Sequence, residues 1–146
     1  MVDSVSPERR SAIMAAIKGR DTKPELAVKR ALWSMGFRYG RSRRRRLPGS
    51  PDLVFPSLKA VVFVHGCFWH GHQCPLARVP KINTAFWLQK IETNGARDRR
   101  VSRHLRRQGW HVLTVWECSL ETGVRRVVAA LTRLRAARNS HRNASV

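Results

Sequence analysis

The sequence predicts an α/β domain in which helices and strands alternate along 146 residues. Two observations carry this prediction. Several segments repeat apolar residues at helical spacing, and three short runs are rich in the branched and aromatic residues that favour strands. A chain of this length matches the usual size of one domain and can bury a core of its own. We therefore expect one domain over residues 1–138 and a disordered polar tail over residues 139–146.

Two helices are expected before the first strand. Residues 7–18 follow Ser6, a suitable N-cap, begin with a proline and end before Gly19. Thr22 and Glu25 have capping-box spacing, and apolar residues at helical period follow them as far as Gly36. The second helix is therefore expected between these limits.

A basic loop and a β-hairpin are expected next. Residues 41–46 hold five arginines and one serine, which excludes them from a core, and turn residues follow through Pro51. Residues 52–55 and 60–64 are then rich in valine and phenylalanine, and a Pro-Ser pair lies between them. This pattern predicts two paired strands, the second deeply buried.

The second half is expected to form a helix, a strand and a helix. Asn83 can cap a helix that is broken or bent near Gly95 and continues to Gly109. Residues 110–116 return as a strand, and residues 123–138 form a last helix in which arginines alternate with aliphatic residues. The segment 65–74 is too polar and too rich in glycine for a strand, and its reactive side chains indicate a functional loop.

The charge balance indicates a polyanionic partner. Lysine and arginine number 29 against 9 acidic residues, which gives a formal net charge of +20 and favours nucleic acid. No segment approaches the roughly 20 apolar residues that span a bilayer, and residues 1–10 have no apolar signal-peptide core. We expect a cytoplasmic, nucleoid-associated protein. The basic loop would contact phosphates, unless it is merely a solvated loop. The candidate residues are Arg43, Arg44, Arg45 and Arg46.

All three cysteines fall where they could bind one metal ion. Cys67, His72 and Cys74 are close in sequence, and Cys118 follows the last predicted strand. Three thiolates and one imidazole suit a tetrahedral zinc, which would be structural because no position is left for water. The spacing is not a standard zinc-finger pattern, so the alternative is a buried core thiol at Cys118 and incidental neighbours. A disulfide framework is disfavoured in a reducing compartment.

Phosphodiester cleavage needs a hard cation and a base, and only nine carboxylates are available. Asp52 follows a proline at a strand start, which resembles the Pro-Asp element of restriction-endonuclease-like folds. The usual Glu-x-Lys partner is missing, so we expect a main-chain carbonyl as second ligand and a histidine as base. His70 is the candidate base, and Asp98 could orient it. Alternatively, Asp52 only bonds backbone N–H groups and His65 only bonds a neighbour, while the capping box already explains Glu25.

Adjacent aromatic residues indicate a DNA wedge. Phe68 and Trp69 stand side by side on the functional loop, where both cannot easily reach a core. Side chains of this kind unstack base pairs, and mismatched steps cost least to open. Trp87 and Met14 could play the same part, although burial in the core is the usual position of such residues.

Five strings of residues together resemble the very short patch repair endonucleases, in order and spacing, over about residues 9–120. The strings are Leu47-Pro-Gly-Ser-Pro-Asp52, Val64-His-Gly-Cys-Phe-Trp-His70, Phe86-Trp-Leu-x-Lys90-Ile91, Arg97-Asp-Arg-Arg100 and Val115-Trp-Glu-Cys118. The resemblance implies a restriction-endonuclease-like core with a central mixed sheet between helices, and residues 7–18 as a DNA-contacting arm. It also implies an enzyme that nicks one strand 5′ to the thymine of a T:G mismatch, the lesion left by deamination of 5-methylcytosine.

The resemblance also assigns roles to residues. Asp52 and the main-chain carbonyl of Val64 would bind Mg²⁺, and His70 would be the general base. His65 and Asp98 would support that site, with Glu25 kept as a further candidate catalytic acid. The zinc ligands would be Cys67, His72, Cys74 and Cys118, and the intercalating residues would be Met14, Phe68, Trp69 and Trp87.

Two positions depart from the family pattern. Val64 stands where the best-known members carry threonine, which a main-chain ligand tolerates because every residue has a carbonyl. Gly71 replaces a histidine. The alternatives are a zinc-stapled DNA-binding module without catalysis and a restriction-type nuclease that cuts both strands of paired DNA. We expect a monomer; general mismatch-repair proteins are possible partners. The methylated context and the number of Mg²⁺ ions stay open.

Overall fold

The structure is a computed structural model that describes residues 22–40 and 46–144. The expected helix 7–18, with Met14, lies outside the described residues, as do Arg43, Arg44 and Arg45. Within the described part, a three-stranded sheet is combined with three α-helices and short 3-10 turns. The predicted α/β class is therefore confirmed.

Helix α1, Lys23–Ser34, forms where the capping pattern predicts it. The backbone N–H of Glu25 donates to Thr22 Oγ1 at 3.4 Å, so Thr22 is the N-cap. The helix ends before Gly36, whose φ of +86° takes the chain out of the helical region. Val28 and Leu32 lie one turn apart and are fully buried, which places this face of the helix in the core.

The three strands form one mixed sheet in the order β1-β2-β3, with β1 at Leu53–Phe55, β2 at Ala60–His65 and β3 at His111–Trp116. β1 pairs antiparallel with β2, which confirms the hairpin, and β2 pairs parallel with β3. The first four residues of β2 are buried because this strand is central. Both β2 and β3 therefore point their carboxyl ends to the same edge of the sheet.

Helix α2, Thr84–Arg107, and helix α3, Leu120–Ala144, differ from the predicted limits. The expected break near Gly95 is wrong: α2 is continuous through Gly95, since one glycine costs a long helix only about 1 kcal/mol. Asn83 precedes α2, but its side chain makes no capping hydrogen bond. α3 includes residues 139–144, which are helical rather than the expected disordered tail, and no proline or glycine interrupts this stretch.

The core has two layers, one on each face of the sheet. The first layer packs α1 and α3 against the sheet through Leu32, Val62, Val115 and Leu131. The second packs the end of α2 against the other face, where Leu105 meets strand residues and Trp110. α2 thus crosses the face of the sheet beside the carboxyl ends of β2 and β3. None of the described helices is long and apolar enough to cross a membrane.

Candidate active site and metal centre

Pairing of β1 with β2 places Asp52 beside Val64. The backbone N–H of Asp52 donates to the carbonyl of Val62 at 3.0 Å, and the N–H of Val64 donates to Asp52 Oδ2 at 2.6 Å. The backbone bond that the alternative interpretation expected of Asp52 is therefore present. Asp52 also lines a cleft, so this bond holds the carboxylate in position beside the residues described next.

An imidazole–carboxylate cluster, formed by His65, His70 and Asp98, lies at the end of β2. One ligand atom from each residue lies within 4.8 Å of the others. His70 Nδ1 is 2.5 Å from Asp98 Oδ2, and the rings of His65 and His70 stack at 3.8 Å with 4° between their planes. α2 supplies Asp98, so the cluster joins the functional loop to the helix.

The surroundings of His65 favour its neutral form. Burial and then the nearby His70 lower its pKa, Asp98 opposes them only in part, and the net result is a pKa of about 4. Its Nδ1 is buried and has no hydrogen-bond partner among the described residues. His65 is therefore neutral at neutral pH, because the charged imidazolium would lose its hydration there.

The Asp52 cleft, defined by Asp52, Val64, His65, His70 and Asp98, has a volume of about 430 Å³. It brings together every residue that the sequence assigned to Mg²⁺ or to proton transfer, except Glu25. Three polar residues that the sequence analysis did not select also line it, namely Ser50, Arg97 and Ser102. Arg97 and Ser50 lie in family strings and could have been found, whereas Ser102 carries no signal in the sequence.

Glu25 lies elsewhere. It is 2% exposed, its Oε1 is 2.9 Å from Lys29 Nζ, and it does not line the Asp52 cleft. This ion pair at helical i,i+4 spacing, together with the cap, accounts for its position on α1. Of the candidate phosphate contacts in the basic loop, Arg46 is described, and it is exposed.

The sulfur cluster, formed by Cys67, His72, Cys74 and Cys118, lies beside the imidazole–carboxylate cluster. All four ligand atoms lie within 4.8 Å of one another. Cys67 follows β2 and Cys118 follows β3, and the parallel pairing of these strands brings the two cysteines together. The N–H of His72 donates to the carbonyl of Cys67 at 3.0 Å, and the His72 ring stacks on Trp116 at 4.2 Å. The alternative, in which these residues are near one another only in sequence, is therefore not observed: the four side chains form one cluster.

The thiols of this cluster differ in pKa. Burial raises the pKa of Cys67 to about 12. For Cys74 burial also acts upward, but hydrogen bonds with His72 and Cys67 outweigh it and lower the pKa to about 7. Three sulfurs and an imidazole at this separation can all bind a soft cation, which removes the competition for protons. The donor set therefore fits zinc.

The aromatic residues form a connected group. Trp87 contacts Phe68 at 5.6 Å, Trp69 at 6.1 Å and Phe86 at 5.1 Å between ring centroids. Trp87 is only 6% exposed, whereas Phe86 is 58% exposed and the loop aromatics are half-buried. In this structure Trp87 is buried and packs against Phe68 and Trp69 of the loop. Phe86, which was not predicted as a site residue, is an exposed aromatic residue of α2.

These features define a class of protein. A strongly basic α/β protein that gathers two carboxylates, two histidines and an arginine in one cleft has the groups that a DNA endonuclease needs. The family model described as "DNA mismatch endonuclease Vsr" matches residues 2–76. The chain belongs to this Vsr endonuclease family.

Relatives agree with that assignment. The chain is 49% identical to the type II nicking enzyme V.XorIIP of Xanthomonas oryzae pv. oryzae over 120 residues, which cover 82% of this chain and 88% of the relative. It is 43% identical to the DNA mismatch endonuclease Vsr of Escherichia coli K12 over 132 residues, which cover 90% and 84%. It is 45% identical to the type II nicking enzyme V.NmeAIP of Neisseria meningitidis over 83% of this chain. The predicted family is confirmed.

Proposed function

We propose that this endonuclease nicks one DNA strand 5′ to the thymine of a T:G mismatch left by deamination of 5-methylcytosine, with catalytic Mg²⁺ and a structural zinc. The observation that carries the proposal is the Asp52 cleft, where a carboxylate and a His70–Asp98 pair meet on a basic protein. The names of the relatives, a mismatch endonuclease and nicking enzymes, support single-strand cleavage. The enzyme would act on nucleoid DNA in the cytoplasm as a monomer, since one active site suffices for one cut.

Asp52 and the main-chain carbonyl of Val64 would hold the Mg²⁺. Both offer oxygen donors, which this hard cation prefers, and both belong to the Asp52 cleft. The hydrogen bond from the N–H of Val64 fixes the Asp52 carboxylate beside that residue. When bound, the ion offsets negative charge on the scissile phosphate. Valine at this position keeps the carbonyl, so the departure from threonine does not remove a ligand.

His70 would accept the proton of the attacking water. With Nδ1–H donated to Asp98 Oδ2, the lone pair of Nε2 is left as the base. Asp98 is then a positioning residue that fixes the tautomer and stabilises the imidazolium that forms. The stacked His65 stays neutral, so it adds no like charge beside His70 when the latter is protonated.

Arg97 would bind the scissile phosphate. It lines the Asp52 cleft together with Ser50 and Ser102, and guanidinium groups suit the paired oxygens of a phosphate. Asp98, the next residue along α2, faces the same cleft, so α2 supplies both the phosphate contact and the residue that orients the base.

The sulfur cluster would hold zinc and would not take part in the chemistry. Its four protein donors would supply the full set of ligands that a structural zinc takes. The site fastens the loop that bears His70 to the turn after β3, because Cys118 lies in that turn. A zinc ion there would keep both flanks of the catalytic loop in place.

Phe68 and Trp69 would enter the DNA at the mismatch, with Trp87 supporting them from the helix. A T:G pair is easier to unstack than a matched pair, so a wedge favours mismatched substrates. Outside the described residues, helix 7–18 with Met14 would contact the minor groove, and Arg43, Arg44 and Arg45 would join Arg46 on the phosphates. General mismatch-repair proteins are proposed partners.

The test uses an end-labelled duplex with one T:G mismatch and a T:A control, incubated with Mg²⁺ or with EDTA. We expect one Mg²⁺-dependent nick directly 5′ of the mismatched thymine and none in the control. A context series of flanking sequences shows which site is cut. Equal cutting of both strands in both duplexes would instead identify a restriction-type enzyme, and tight binding without a nick in any context would identify a non-catalytic module.

A further inference from the structure

A second cleft opens from the imidazole–carboxylate cluster on the side of β3. This arginine cleft, defined by Arg99, Arg103 and Arg106, has a volume of about 590 Å³. It shares His65, His70, Asp98 and Ser102 with the Asp52 cleft, and Thr114 and Trp116 of β3 form its opposite wall. The cluster is thus accessible from both flanks of α2, and nothing proposed for the reaction uses the second flank.

The three arginines lie on one face of α2, at positions i, i+4 and i+7. All three are exposed, and none forms an ion pair with a described acidic residue. Asp98 also borders the arginine cleft, but its Oδ2 is held by His70. Three like charges on one wall therefore lack a counter-ion among residues 22–40 and 46–144, which favours a bound anion.

The spacing of these arginines suits a nucleic-acid backbone. Arg99 and Arg106 are seven residues apart, or about 10 Å along a helix at 1.5 Å per residue. That length equals about three steps of duplex rise along one strand. A third cleft continues past Arg106 along β3 and includes Arg133, so the positive surface extends away from the reaction centre.

We propose that the arginine cleft binds the DNA backbone phosphates that flank the scissile phosphate on the β3 side of the cluster. The proposal rests on the proposed function, because it assumes that the scissile phosphate occupies the Asp52 cleft. The contact would be independent of base sequence and would fix the register of the cut strand. It would also explain why an imidazole–carboxylate cluster between two clefts has a basic wall on one side.

The test compares two double variants on α2. In the first, Arg99→Ala and Arg106→Ala remove two arginines that line the cleft. In the matched control, Arg100→Ala and Arg107→Ala remove two exposed arginines at the same spacing that line neither cleft. Both variants lose the same charge, and each position of the control pair is one residue further along the helix, rotated by about 100°.

Binding of a T:G duplex is measured without added Mg²⁺ over a series of salt concentrations, so that the DNA is not cut and the zinc is not removed by a chelator. For the cleft pair we expect the slope of log Kd against log salt to fall by about two, at about 0.9 per phosphate contact. Loss of two charge-assisted contacts should raise Kd at least about tenfold. The control pair should change the slope by much less. Equal effects of the two pairs would overturn the proposal, because they would show a general charge effect.

Free phosphate is the other source of the same anion chemistry, and a separate arm distinguishes it. Inorganic phosphate is titrated into the DNA-free protein by calorimetry. If phosphate binds and the cleft pair abolishes this binding while leaving the DNA salt slope unchanged, the backbone proposal is wrong. Binding without Mg²⁺ does not require nicking. A protein that fails to nick but shows the slope change therefore loses the proposed function and keeps the subsite, whereas a nicking protein without the slope change loses only the subsite.

Discussion

The sulfur cluster and the imidazole–carboxylate cluster share one loop but differ in chemistry and setting. His70 belongs to one and His72 to the other, and between them Gly71 has a φ of +65°. The sulfur cluster offers soft donors that follow two strand ends, and its four ligand atoms lie within 4.8 Å of one another. The other cluster offers nitrogen and oxygen atoms and opens into clefts on both sides of α2. The comparison indicates that a closed shell fastens the loop, whereas an open one leaves room for substrate.

The largest expected effect is on nicking activity, at the Asp52 cleft beside the imidazole–carboxylate cluster. Asp52→Asn keeps the shape of the side chain and a hydrogen-bond acceptor for Val64 but removes the charge that would bind Mg²⁺. We expect single-turnover nicking of the T:G duplex to fall by at least about 10³-fold, since the ion supplies several kcal/mol to the transition state. The melting temperature should stay close to that of the unchanged protein. Full nicking activity in the variant would exclude Asp52 as the metal ligand.

A change in the sulfur cluster should lower the stability of the protein. Cys118→Ser removes one of four donors, and we expect zinc content measured by atomic emission to fall from one ion per chain. The melting temperature should fall by on the order of 10 °C, because metal binding contributes directly to folding free energy. Thr122→Ala, at an exposed position in the first turn of α3, is the control. A variant with unchanged melting temperature and a metal-free wild-type protein would mean that this cluster does not hold zinc.

A third comparison separates the aromatic that supports the loop from the one on the surface. Trp87→Ala should destabilise the protein by about 3 kcal/mol, because a buried indole is lost beneath Phe68 and Trp69. Phe86→Ala should change stability by less than about 0.5 kcal/mol, because the ring is exposed. Urea unfolding measures both. Equal small losses would show that Trp87 is free to leave its packed position.

A smaller loss of stability than that of Trp87→Ala is expected at the residue between the two clusters. A Cβ at Gly71 would lie 2.7 Å from Ile91 Cγ2, and φ is already positive. Gly71→Ala should therefore cost about 1–2 kcal/mol in strain and contact. Adding Ile91→Ala removes the contact and should recover part of that cost in a double-mutant cycle. An additive cycle would show that backbone strain alone determines the cost.

The sequence by itself determined much of the local structure. Thr22 and Glu25 marked the start of α1, and the valine-rich runs around Pro56 marked the hairpin, because caps and apolar patterning are local properties. The length of α2 and α3 was not determined in this way. Gly95 and the polar tail are poor helix residues that the continuous helices nevertheless include, since a helix that has already formed extends at little cost.

The residues of the candidate site also fall into those that the sequence indicated and those that only the tertiary structure showed. Spacing alone suggested that Cys67, His72, Cys74 and Cys118 could bind one ion, and the family strings pointed to Asp52, His70 and Asp98. Only the tertiary structure placed Glu25 in an ion pair with Lys29 and Trp87 beneath the loop. It alone joined Ser50 to Ser102 in one cleft and set three arginines along another. The physical reason is that burial and cleft formation depend on which faces of distant segments meet. The parallel pairing of β2 with β3 and the packing of α2 against the sheet determine those faces.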